Sequence, residues 1–377
     1  GMSSAPPILR FDELGIADTP RVGGKNASLG EMYRALKPLG VRQADGFAVT
    51  ADAFRAALAA AGAWETLHAA LDGLDKSDLG ALREAGRRCR DAVYRAGLTP
   101  ETEAALTAAY DRLEAESGSE GFSVAVRSSA TAEDLPTASF AGQHDTYLNV
   151  RGHAMLIDAV KRCQASLFTD RAISYRIDQG FDHFQVALST CVMRMIRADL
   201  GASGVMFSLD TETGHPDFCF ITGAWGLGET VVQGSVDPDE FLVHKPAYRA
   251  GARAVTRRAL GRKQIKMVYA EGRTREPVLT IPTDDAEAGR FCLTDAQVLE
   301  LADFCMKIED HYTRLRGEPT PMDMEWALDG IDGQLYVVQA RPETVASQRV
   351  ATVMEDYAIE PGGAPLVTGR AVGGGCA

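Results

Sequence analysis

No stretch of this chain holds the roughly 20 consecutive apolar residues that a membrane-spanning helix requires. The N-terminus lacks the basic, apolar and small-residue succession of a secretory signal, and Gly1 before Met2 reads as a scar of tag removal. Cysteine is sparse, with seven residues and no C-x-x-C pair. That spacing argues against a zinc site and predicts reduced thiols in a cytoplasmic protein rather than a disulfide framework. Cations are in deficit: 39 Lys and Arg against 52 Asp and Glu leave a formal net charge of −13. General nucleic-acid and anionic-membrane binders draw affinity from clustered positive charge, so neither partner is expected. Also missing are the G-x-x-x-x-G-K-[ST] phosphate loop, the G-x-S-x-G elbow and the H-E-x-x-H pair.

A composition 45% hydrophobic and 24% charged is that of a soluble globular protein, and 377 residues predict two or three lobes. Phe11 to Leu14 reads as a short strand, followed by a helix through about Leu36. Gly46 to Thr50 reads as a strand whose Thr50 caps a helix from Ala51. Helical spacing runs over 64–116, interrupted near Leu98-Thr-Pro100, and is expected as a packing layer. Further strands are predicted at 123–127, 187–196, 204–208, 218–222 and 240–243, with a helix across 153–177. Gly261 to Pro282 reads as strands and turns, and Thr294 as the cap of a helix from Asp295 to about Arg316.

The most informative segment is Val124-Ala-Val-Arg-Ser-Ser-Ala-Thr-Ala-Glu-Asp134, continued by Ala138-Ser-Phe-Ala-Gly-Gln143. A short apolar strand delivers Arg127 into a run of hydroxyls and small residues, a grouping suited to polyphosphate. His144 follows directly and reads as structural or solvent-facing. Val22-Gly-Gly-Lys-Asn26 places Lys25 at a helix start, where a plain N-terminal cap is the alternative. Gly226-Leu-Gly-Glu229 either turns the chain or offers Glu229 to ribose hydroxyls. Met193 and Met195 lie in a buried-strand pattern that fits core packing as well as a contact with a base.

Met322 to Leu328 and Gln334 to Arg341 both alternate around the turn Asp329-Gly-Ile-Asp-Gly333, predicting an antiparallel hairpin. Centring the turn on Ile331 places Asp323 opposite Gln339, with Glu325 one pair further in. Alternation puts Asp323, Glu325, Gln339 and Arg341 on one face and Met324, Trp326, Leu328, Tyr336, Val338 and Ala340 on the core face. Two carboxylates, an amide oxygen and a guanidinium suit Mg²⁺ with nucleotide phosphates. The same pattern also fits a solvated face carrying an ion pair.

In this order along residues 10–345, these motifs, with Asp45-Gly-Phe-Ala-Val-Thr50, Ser203-Gly-Val-Met-Phe-Ser208 and Gln339-Ala-Arg-Pro342, resemble the nucleotide-binding region of the phosphoenolpyruvate synthase (pyruvate, water dikinase) family. The resemblance implies an α/β (α+β) ATP-grasp fold with mixed or antiparallel sheets, a helical N-terminal lobe, and ATP with Mg²⁺ between lobes. It implies a tail over 1–9, a nucleotide-binding domain over 10–345 with lobes roughly 10–190 and 191–345, and a linker with the opening of a swivelling domain over 346–377. By motif match, Lys25 and Arg127 neutralise polyphosphate, Glu325 and Gln339 hold magnesium with Asp323 assisting, and Arg341 clamps phosphate. Ser139 to Gly142 supply the loop over the phosphates with Gln143 beside it, while Glu229, Met193 and Met195 lie on the ribose and adenine side.

In that family a histidine of the swivelling domain takes a phosphoryl group from ATP and carries it to a pyruvate-binding domain. Val367-Thr-Gly-Arg-Ala-Val-Gly373 resembles the opening of the swivelling domain, but the Thr-Ser-His-type motif is not in this sequence. The expected partners are therefore ATP and those two domains. Two alternatives share the motifs: the ATP-binding domain of a rifampicin-phosphotransferase-like dikinase, and a stand-alone nucleotide-binding module. The relay implies that this chain alone makes no phosphoenolpyruvate from pyruvate and ATP; an end-point assay that detects the product would contradict it.

Overall fold

The computed structural model describes residues 5–118, 120–130, 146–270 and 278–343. The chain divides into two units: the residues up to Ala35 with Asp45–Met195, and Leu36–Ala44 with the residues from Ile196 onward.

In the first unit the strands are β1 (Ile8–Arg10), β2 (Gly46–Val49), β3 (Val124–Ala130), β4 (Thr146–Val150) and β5 (Leu188–Arg194). They form an antiparallel sheet in the order β1-β2-β5-β3-β4. Alternation assigns the two faces. Phe47, Val49, Val124, Val126 and Val192 enter one core with Leu106, Tyr110, Leu156 and Val160 of helices Pro100–Ser117 and Gly152–Ala165. Ala48 and Cys191 face the other way, against Leu14, Val22, Ala27 and Tyr33. Gly30 of helix Gly24–Leu36 is needed there, because a Cβ would overlap the Leu14 side chain. A third cluster joins Phe54, Leu67, Leu82, Val93, Phe168 and Ile173 of the helical layer.

Local signals account for most boundaries. Thr50 accepts from Ala53 N at 3.2 Å, starting helix Ala51–Ala60 as expected. Several expectations are corrected. Phe11–Glu13 is a 3-10 turn after β1, not a strand, and Phe11 and Leu14, three apart, are both buried. The helix expected over 153–177 is broken at Thr169, whose hydroxyl caps Asp170–Gln179. The helical run of 64–116 breaks again after Leu71, at Gly73 (φ +73°), and restarts under the Asp78 cap. Strand β4 was not foreseen.

In the second unit the strands are β6 (Ala202–Phe207), β7 (Phe218–Trp225), β8 (Asp239–His244), β9 (Val255–Ala259), β10 (Ile265–Tyr269), β11 (Val278–Pro282), β12 (Met322–Leu328) and β13 (Leu335–Pro342). Six of them form an antiparallel sheet in the order β13-β12-β6-β7-β8-β9, while β10 and β11 pair as a separate ribbon. Strand β9 was likewise not foreseen. Helix Asp295–Arg316, capped by Thr294 as expected, buries Leu301, Cys305 and Ile308 and contacts β7, β12 and β13. Residues 41–43 run along the outer edge of β13: Val337 N donates to Arg42 O at 2.8 Å and Gln43 bridges Val337 in parallel. Arg42 Nη1 then reaches Leu335 O at 2.7 Å and Glu300 Oε1 at 3.0 Å.

Asp239 and Lys263 are fully buried and close the second unit. Lys263 Nζ donates to Asp239 Oδ1 at 2.7 Å, to Gly261 O at 3.0 Å and to Ala288 O at 3.2 Å. Asp239 also accepts from the backbone N–H groups of Gly261 and Cys292, each at 2.8 Å. Removing one member strands a buried charge. Lys263→Met is therefore expected to destabilise this unit by about 3–5 kcal/mol in urea unfolding, and adding Asp239→Asn to recover part of the loss. Equal stabilities for the single and double variants would contradict that coupling.

Candidate functional site

The first unit brings two predicted cations to one sheet face. Helix Thr19–Val22 ends at Gly23 (φ +83°), and that left-handed residue restarts the chain as helix Gly24–Leu36. Lys25 stands exposed in its first turn, at the positive end of the helix dipole. Asn26 locks this junction to β5: its Nδ2 donates to Val22 O at 2.8 Å and Ser189 Oγ at 3.1 Å, and Ser189 Oγ donates to Val22 O. Arg127 on β3 lies opposite Cys191 of β5. Burial pushes the Cys191 thiol up to about 11, while Arg127 and Lys25 both pull it down, so both charges act on one spot. Arg127 Nε is buried with no hydrogen-bond partner among the described residues.

The second unit carries the hairpin. Its register places Asp323 opposite Arg341 and Glu325 opposite Gln339, correcting the expected pairing of Asp323 with Gln339. The cause is a β-bulge: past Glu325 the pairing shifts, Trp326 faces Val337, and Val338 is the extra residue. The four polar residues still share a face. Beyond the bulge Tyr336 falls opposite Ala327, on the Asp323 side, and Val337 rather than Val338 is buried opposite Trp326. On the core side Trp326 Nε1 donates to Thr222 O at 3.1 Å, and the ring fits only because residue 223 is glycine.

Asp323 and Glu325 are only 4% exposed. Arg341 Nε donates to Asp323 Oδ2 at 3.2 Å, while Arg341 Nη2 is buried with no hydrogen-bond partner among the described residues. Burial raises Asp323 to about 6 against the pull of Arg341, and a hydrogen bond with Glu343 raises it further. Sequence reasoning missed Glu343. The alternation Gln339, Arg341, Glu343 continues one step past the strand and carried that signal.

The remaining expected residues are placed as follows. Met193 packs beside the Leu14 cluster, and Met195 is buried, its Sδ accepting from Asn149 N at 2.9 Å. Met193 is half-buried there. Glu229 is exposed as the first residue of the short helix Glu229–Val232. Ser139, Gly142, Gln143 and His144 lie outside the described residues, as does 346–377.

Residues 19–360 match the family model described as pyruvate phosphate dikinase, AMP/ATP-binding domain. The chain belongs to this family. It is 53% identical over 367 residues to phosphoenolpyruvate synthase of Pseudomonas aeruginosa (strain UCBPP-PA14), covering 97% of this chain and 45% of that protein. To phosphoenolpyruvate synthase of Escherichia coli (strain K12) it is 50% identical over 373 residues, covering 98% and 46%. A probable phosphoenolpyruvate synthase of Methanocaldococcus jannaschii is 41% identical over 338 residues, covering 89% and 26%. The chain thus spans about half the length, or less, of these curated relatives. Among the described residues no helix is long and apolar enough to cross a membrane.

For a dikinase ATP-binding domain the donor set on the hairpin fits a hard cation. Among the described residues no cluster of three or more His, Cys, Asp or Glu could hold a metal by itself. Mg²⁺ usually takes one or two carboxylates and completes its shell with water and phosphate oxygens, which Asp323, Glu325 and Gln339 allow.

The buried charge has a measurable cost. With a folded value near 6 against 3.8, the folded chain holds the extra proton between those pH values, so the nucleotide-free fold gains stability as pH falls through 6. Asp323→Asn is expected to stabilise the nucleotide-free chain by on the order of 1–3 kcal/mol at pH 8, and by little below pH 4. Urea unfolding across that range reads the difference; parallel profiles for the two proteins would contradict the assignment.

Proposed function

We propose that this chain binds Mg-ATP and supplies the phosphoryl donor half of a phosphoenolpyruvate synthase reaction. In that reaction a histidine of a swivelling domain is phosphorylated on the way from pyruvate to phosphoenolpyruvate, with AMP and phosphate as products. The observation that carries this reading is a pair of buried guanidinium N–H donors, Arg127 Nε and Arg341 Nη2, that have no protein acceptor among the described residues. Buried donors are normally satisfied, so donors held in reserve point to an anionic ligand. The identities near 50% with two phosphoenolpyruvate synthases support that acceptor over an antibiotic. A cytoplasmic location accords with the six described cysteines, all buried free thiols.

Each unit offers its own part of the chemistry. Lys25 and Arg127 place positive charge where phosphate oxygens gain negative charge, and need no rearrangement to do so. Arg341, oriented by Asp323, presents its free edge to a phosphate oxygen. Glu325, Gln339 and Asp323 would hold Mg²⁺, which would supply positive charge against that of the phosphates. Glu229, exposed at its helix start, is the ribose contact in this reading.

Calorimetric titration of Mg-ATP into the chain tests it, with Arg127→Ala and Glu325→Ala examined separately because they lie on different units. Saturable, Mg²⁺-dependent binding is expected, weakened at least about tenfold in each variant, since a hydrogen bond to a charged group contributes roughly 1.5–3 kcal/mol. Wild-type affinity in either variant would remove that residue from the site. No binding by the folded wild-type chain would contradict the reading.

A further inference from the structure

Val22 closes the short helix Thr19–Val22, so its carbonyl stands at a helix end, where intrahelical partners run out. Two buried side chains supply donors to it: Asn26 Nδ2 at 2.8 Å and the hydroxyl of Ser189 on β5. Asn26 Nδ2 also donates to Ser189 Oγ at 3.1 Å, so the three groups close a ring that joins residues 163 apart in sequence. Asn26 and Ser189 are each 1% exposed. Packing of this junction is already served by apolar neighbours, Leu14, Val22, Ala27 and Cys191. A buried amide and hydroxyl cost desolvation that their bonds offset, and what directional bonds add over apolar packing is a fixed orientation. The residue so oriented is Lys25, next to Asn26 in the same helical turn. Ser189 pairs with Ser129 of β3, and Cys191, two residues on, pairs with Arg127. Ser189 therefore stands on the sheet face that Arg127 occupies.

We propose that Asn26 and Ser189 are positioning residues, which hold the start of helix Gly24–Leu36 on β5 and thereby carry Lys25 to the phosphate-binding face beside Arg127. Gly23, at φ +83°, gives the chain its turn between the two helices but has no side chain to fix the angle. The ring of Val22, Asn26 and Ser189 supplies that constraint. A cation set in place before the ligand arrives costs no rearrangement when phosphate binds. This inference rests on the Mg-ATP reading above and adds two residues to it.

A double-mutant cycle separates positioning from a general structural role. Mg-ATP affinity is measured by calorimetry for wild type, Asn26→Leu, Lys25→Ala and the double variant, each first checked for wild-type circular dichroism. Asn26→Leu keeps a similar volume and removes the donor. It is expected to weaken binding about fivefold, and Lys25→Ala at least about tenfold. In the Lys25→Ala background the Asn26 substitution is expected to change affinity by less than about twofold, because the group it positions is gone. Ser189→Ala is taken through the same cycle, so that a failure of Asn26→Leu to fold leaves a second reading. It is expected to cost about two- to threefold, again only while Lys25 is present. Equal losses in both backgrounds would overturn the proposal, since these residues would then act on the fold at large. So would wild-type affinity in Asn26→Leu. Wild-type affinity in Lys25→Ala, or no binding by the wild-type chain, is a separate result: it would remove the nucleotide reading of this face and the inference with it.

Discussion

The second unit depends on the buried pair of Asp239 and Lys263. Asp239 opens β8, Lys263 leads into β10, and their remaining bonds run to Gly261, Ala288 and Cys292, around the approach to helix Asp295–Arg316. An ion pair without water is tolerable only when its other hydrogen-bonding capacity is used, and here it is. Three separate segments are thereby tied at one point: the sheet, the entry to the β10–β11 ribbon and the approach to the helix. The backbone of Lys263 sits at φ +42°, unusual for a residue with a side chain, and five bonds around the pair hold it there.

The candidate site face reverses that logic. Asp239 is fully satisfied, whereas Asp323 is buried beside a second carboxyl and only partly compensated by Arg341. Among the described residues, Arg127 and Arg341 each have a buried donor with no hydrogen-bond partner. Such groups weaken the fold unless something complementary arrives, which is how pre-organisation for a charged ligand is expressed in a protein's stability. The bulge at Val338 serves both sides of the hairpin. It pairs Glu325 with Gln339 across the polar face while leaving Trp326 against Val337 in the core.

Much of this was legible in the residues because it follows from periodicity and side-chain chemistry. The shared face of Asp323, Glu325, Gln339 and Arg341 came from alternation alone, and the caps Thr50 and Thr294 from their hydroxyls. The register was misjudged because a bulge leaves no sign in a regular alternating pattern. The break at Thr169 was missed because apolar spacing continues across it. Strands β4 and β9 escaped because they lie at sheet edges, where one side faces solvent and the apolar signal is weak. Glu343 was overlooked because the expected strand stopped at Arg341, although the alternation runs on to it. The convergence of Lys25 and Arg127 joins segments about 100 residues apart, and only the packing of helix Gly24–Leu36 over β5 reveals it.

The strand order of the second sheet has a consequence for how the chain is made. β12 lies between β13 and β6, yet β6 ends at Phe207 and β12 begins at Met322, about 115 residues later. At a synthesis rate of about 5–20 residues per second, β6 emerges roughly 6–23 s before its neighbour exists. Throughout that interval one edge of β6 offers unpaired backbone groups beside Val205, Met206 and Phe207, the kind of edge on which chains associate. The strand that carries the carboxylates is thus also the one that closes the sheet. Its arrival ends that exposure and sets Asp323 and Glu325 in place for β13 to complete the polar face.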